Sequence, residues 1–91
     1  MKKVDFRKIQ VQDIEGKNVT VDISKELGNS IYKNTPDLGE LDLAQSIYKD
    51  GEVEIDKTQA EIIRKYLDAG GFLAFVKKSV FEILDSIINA K

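Results

Sequence analysis

The sequence predicts a small α+β domain in which an N-terminal β-hairpin and a short third strand pack against about four helices. Three observations lead there. Apolar residues alternate at Ile9, Val11 and then Val19, Val21, Ile23, which is the period of half-buried strands. After Ile23 the spacing changes to that of helices, and the helical tracts are separated by Pro36, by Gly51 and by Gly70-Gly71. The 91 residues suffice for one core and leave no room for a second, so residues 1–91 form a single domain.

The elements follow in order. Ile9–Ile14 and Val19–Ile23 are read as the two hairpin strands, joined through Glu15-Gly16-Lys17-Asn18, whose Gly and Asn tolerate positive φ. Val4 and Phe6 alternate one step out of phase with Ile9 and Val11, which leaves two readings: a bulge near Arg7-Lys8, or a separate lead-in strand. Ser24 is expected to cap a first helix that runs to about Lys33, with Leu27 and Ile31 on one face. Pro36 prevents simple continuation, and Asp37 begins a second helix carrying Leu38, Leu41, Ala44, Ile47 and Tyr48, which stops at Asp50-Gly51. Glu52-Val53-Glu54-Ile55 alternates as a third strand expected on an edge of the hairpin. Asp56 with Gln59 forms a capping-box signature ahead of the stripe Ala60, Ile63, Tyr66, Leu67. Gly70-Gly71 ends that helix and a last one follows at once, giving a C-terminal helical hairpin.

Composition narrows the functional classes. Without His or Cys the usual general bases, thiol nucleophiles and thiolate metal sites are closed, and no disulfide framework exists. A reducing, cytoplasmic setting is the expectation. The N-terminus lacks the apolar run of a secretory signal, and the apolar tract Phe72–Ile88 is interrupted by Lys77, Lys78, Glu82 and Asp85, so neither export nor a membrane span is expected. None of the five serines sits in a nucleophile elbow. Glu40 with Asp42 and Glu52 with Glu54 are the candidate carboxylate pairs, and Glu52 and Glu54 share the polar face of a strand by simple alternation, which reads as a solvated face. Asp50–Glu54 reads as a turn into a strand, because Tyr48 and Lys57 stand where a calcium loop needs oxygen ligands. No catalytic residue, metal ligand or cofactor is therefore assigned.

Two residue sets remain as candidates for contact. Lys2, Lys3, Arg7 and Lys8 gather basic charge around Phe6 and are the candidate phosphate contact, in a chain whose formal charge is −2. A winged helix-turn-helix arrangement is disfavoured because Asp37, Glu40 and Asp42 make the candidate recognition helix acidic. The last helix is the stronger case. Its apolar residues, from Phe72 and Leu73 through Ile88, cover an arc of roughly 200° where about 100° serves a single core. Either the helix is central and covered on two sides, or its outer flank, Phe81, Leu84 and Ile88, is a surface for self-association or for a protein partner.

Asp22-Ile23-Ser24-Lys25-Glu26-Leu27-Gly28-Asn29-Ser30-Ile31-Tyr32, together with Ile47-Tyr48-Lys49-Asp50-Gly51-Glu52-Val53-Glu54-Ile55, resembles small uncharacterised proteins of bacterial prophages and related mobile elements. The resemblance implies a phage-derived accessory or assembly protein acting through contacts. Its motifs are helix starts and turns, so it transfers no site residue.

Overall fold

A computed structural model describes residues 2–89. Eight elements follow one another: β1 (Lys2–Asp5), β2 (Ile9–Gln12), β3 (Asn18–Val21), α1 (Ser24–Asn34), α2 (Leu38–Asp50), β4 (Glu52–Ile55), α3 (Lys57–Ala69) and α4 (Ala74–Ile88). The α+β class, the N-terminal hairpin and the closing pair of helices are all present.

The strands make two separate antiparallel ribbons. β2 pairs with β3 in the register Ile9↔Val21 and Val11↔Val19. Their connection is tighter than Glu15–Asn18. Asp13 N–H donates to the Lys17 carbonyl at 3.0 Å and Gly16 N–H to the Asp13 carbonyl at 3.0 Å, leaving a three-residue loop, Ile14-Glu15-Gly16. Gly16 takes φ 82°, the left-handed position that such a loop closes on. Ile14 thus leaves the strand that its apolar character suggested and stands fully exposed at the tip.

The lead-in alternative is the one realised: β1 is a strand in its own right, and β4 pairs with it, Val4 opposite Val53. This corrects the expectation that the third strand lies on the hairpin's edge. A β-turn, Lys8 N–H to the Asp5 carbonyl at 3.2 Å, breaks the run between β1 and β2. Phe6 then ties the ribbons together, donating its N–H to the Gly51 carbonyl and accepting from the Ile23 N–H, both at 2.8 Å. Its side chain is completely buried.

The helices follow local chemistry. Asp37 caps α2, its side chain accepting from the Glu40 N–H at 3.0 Å. The α3 capping box is complete: Asp56 accepts from the Gln59 N–H at 2.7 Å and Gln59 accepts from the Asp56 N–H at 3.0 Å. At α1 the expected Ser24 cap is replaced. The Ser24 hydroxyl and N–H both donate to the Asp22 carboxylate, at 2.7 and 3.0 Å, because a carboxylate two residues earlier is the stronger acceptor for those donors.

A single core joins both ribbons to all four helices: Phe6, Ile9 and Val11 meet Leu27, Ile31, Ile47, Ile63, Leu67, Val80 and Leu84 within one buried cluster. One polar link crosses it. The Tyr66 hydroxyl donates to the Glu40 carboxylate at 2.8 Å, and the Thr35 hydroxyl reaches the same oxygen at 2.9 Å, tying α3 to the α1–α2 connection.

Candidate interaction site

α4 sorts its wide apolar arc into three parts. Val76, Val80, Leu84 and Ile87 form the buried stripe. Leu84 has no exposed surface, so of the three residues read as a partner surface this one belongs to the core: it falls on the stripe that faces inward. Phe81 and Ile88 are half-buried against the same core. Phe81 is also roofed by α3, whose Arg64 guanidinium lies 4.1 Å from the ring centroid while its Nε contacts the Asp85 carboxylate at 3.1 Å. The chain itself therefore covers much of the flank on which self-association was expected.

The opposite flank is more open, with Phe75, Glu82 and Ser86 exposed and Ile83 half-buried against the core as Phe81 and Ile88 are. Phe75, Ser79, Glu82, Ile83 and Ser86 lie along one side of α4 and wall a groove of about 990 Å³, whose other wall is β2 and the hairpin tip. Phe75 is 43 % exposed. The register determines what β2 offers there. Residues of an antiparallel pair alternate between those that bond across the ribbon and those that turn their N–H and C=O outward. Because Asp13 bonds to Lys17, the cross-bonded positions of β2 are Val11 and Ile9, and Gln10 and Gln12 direct their backbone groups away from β3. Both line the groove, and no other strand pairs with β2 among the described residues. The groove thus joins an unpaired strand edge to an apolar helix flank.

The basic N-terminal end is not assembled as a patch. Arg7 donates from Nε to Asp5 at 3.1 Å and its stem lies directly over Gly51. Lys3 approaches Glu52 at 3.8 Å. Lys2 borders the groove and Lys8 is exposed. Two of the four cations are thus matched by carboxylates, and they serve the joint between the ribbons.

That joint carries the perturbed acids. The hydrogen bond from the Arg7 side chain holds the Asp5 carboxyl below the usual carboxylate range, and the Ser24 hydroxyl does the same for Asp22. The folded chain binds these protons less readily than the unfolded one, so the stability they contribute is present above the ordinary carboxylate value, near pH 4, and is lost as pH falls through the lowered values. The urea midpoint is expected to stay level from neutrality to about pH 5 and to drop below about pH 4. In Asp22→Asn the part of that drop due to Asp22 disappears, which the same pH series measures.

A smaller cleft of about 180 Å³ lies between α1 and α2, flanked by Tyr32 and Tyr48. Among the described residues no three Asp or Glu side chains converge to hold a metal, and no helix is long and apolar enough to cross a membrane.

Sequence reasoning missed Gln10, Gln12, Phe75 and Ile83. Their one signal is that Ile9–Gln12 carries neither proline nor charge, the usual guards of an exposed edge. By fold and site this is a small α+β protein with an unguarded strand edge beside an apolar helix flank. Known protein families, curated proteins and solved structures contain no match to it.

Proposed function

We propose that the protein is a non-catalytic interaction or assembly module that takes an extended polypeptide along the groove between β2 and α4. One observation carries this reading: Gln10 and Gln12, whose N–H and C=O groups turn outward, line the same groove as Phe75 and Ile83. A strand laid there completes its main-chain hydrogen bonds on β2 and buries alternate side chains on α4, the general mode of strand addition. The lack of His and Cys favours binding over chemistry, and the proposal extends to an accessory assembly part of prophage origin working in the cytoplasm. A DNA-associated role has less support, because Arg7 and Lys3 already have carboxylate partners.

Selection of extended peptides from a random display library, followed by amide-shift mapping on the labelled chain, tests the reading. Selected peptides are expected to be apolar at alternate positions, to shift Gln10 and Gln12, and to lose affinity by roughly tenfold or more in Phe75→Asp. Binders that map to the α1–α2 cleft, or a library that yields none against a chain shown to be monomeric, would overturn it.

A further inference from the structure

We infer that the occupant of the groove is a second copy of this chain, paired edge to edge through β2 about a two-fold axis at Val11. The inference rests on the reading that the groove is the binding surface, and it names the partner. Two antiparallel β2 strands centred on Val11 set Gln10 of each copy opposite Gln12 of the other. Those are the two positions whose backbone groups face away from β3, and each such pair exchanges two hydrogen bonds. The ribbons merge into a four-stranded sheet, a more credible unit than an isolated two-stranded ribbon.

The charges fit the same operation. β2 is preceded by Lys8 and followed by Asp13; in this register Lys8 falls opposite Ile14 and Asp13, whose carboxylate accepts from the Glu15 and Lys17 N–H groups of its own turn, falls opposite Ile9, so no like charges meet across the paired strands. A two-fold normal to the sheet leaves both α4 helices on one face, running antiparallel across the axis. Lys78 and Glu82, which both border the groove, are four residues apart on that flank. About an axis near Val80, each Lys78 meets the other copy's Glu82. Ser79 and Ser86 keep the flank low enough for helices to approach to about 8–10 Å. The groove has both signs in equal measure, which matches its own rotated image and offers nothing to select a strongly charged foreign segment.

Light scattering on a size-exclusion column, over a concentration series of the full chain, decides. The native chain is expected to show twice the 10.3 kDa monomer mass. Gln12→Pro removes an outward N–H and no bond to β3, so it should fold with unchanged helix content and dissociate at concentrations at least about thirtyfold higher. Thr20→Pro removes an outward N–H from β3 and, besides it, only the acceptor of the Gln10 side-chain amide, leaving the β2 backbone groups in place, and should remain a dimer. Lys78→Glu should weaken the dimer roughly tenfold, and Lys78→Glu with Glu82→Lys should restore it; this arm decides if the proline variant fails to fold. A native monomer at the highest soluble concentration, or a dimer indifferent to both Gln12→Pro and Lys78→Glu, overturns the inference. A monomer that still binds selected peptides at Gln10 and Gln12 removes the second copy alone, whereas a monomer that binds none removes the interaction reading with it.

Discussion

Leu84→Glu is expected to unfold the chain outright, with loss of the cooperative urea transition and of most helical circular dichroism at 25 °C. Leu84 is fully buried at the centre of the α4 stripe, in the same cluster as Phe6, Val11 and Leu67. Truncating such a leucine to alanine alone costs about 2–5 kcal/mol. Glutamate adds the burial of a carboxylate with no basic partner on that face, several kcal/mol more even after relaxation. A chain of this length has roughly 5–14 kcal/mol in all, so the substitution consumes most or all of it. Phe81→Glu is the informative contrast. Position 81 lies under Arg64, so a glutamate there gains a cation and keeps access to water; the variant should fold. Equal tolerance at both positions would mean that α4 presents a different face to the core.

That contrast also marks how far the sequence could be read. Helix ends are local events, and the Asp56–Gln59 box, the Asp37 cap and the halt at Gly51 were legible because cap and capped amide are three or four residues apart. The inward face of β2 was legible, since alternation picks out Ile9 and Val11, both buried, but β3 departs from it: Val19 is exposed and Val21 only half-buried. Alternation does not say which strand lies alongside. β4 pairs with β1 across some fifty intervening residues, from Val4 to Val53, and that choice is made by where α2 ends and how Phe6 bonds to Gly51. The Ser24 cap failed for a related reason: whether Asp22 or Ser24 receives the first-turn donors depends on backbone geometry that composition leaves open.

The site was hidden in the same manner. The apolar arc of α4 was visible, and that it exceeded one core's need was visible with it. Which flank stays open depends on α3 laying Arg64 over Phe81 while Val80 and Leu84 enter the common core and Phe75 does not. Gln10 and Gln12 carry no distinguishing chemistry in their side chains. What makes them candidates is the direction of their main-chain groups, and that follows from the hairpin register set by the Asp13–Lys17 bond.

Gly28→Ala sets two opposing effects against each other, and their magnitudes predict the sign. Gly28 lies inside α1, where alanine normally stabilises a helix by about 1 kcal/mol. Here α1 crosses α2 in close contact: a Cβ at position 28 would stand 2.8 Å from the Tyr48 Cβ, 3.0 Å from the Ala44 carbonyl oxygen and 3.2 Å from the Tyr48 Cα. All three atoms belong to the backbone of α2 or are fixed directly to it, so no rotamer change relieves the contact and the helices must move apart. Overpacking of this kind costs about 1–3 kcal/mol. Separation also loosens Ile31 and Ile47, both fully buried, whose packing α1 and α2 share, adding to the penalty. The net result should be a loss of about 1–2 kcal/mol, the clash exceeding the propensity gain, read as a lower urea midpoint with an unchanged m-value. A raised midpoint would mean that the two helices cross with room to spare, and the α1–α2 cleft beside Tyr32 and Tyr48 would then be a joint able to open.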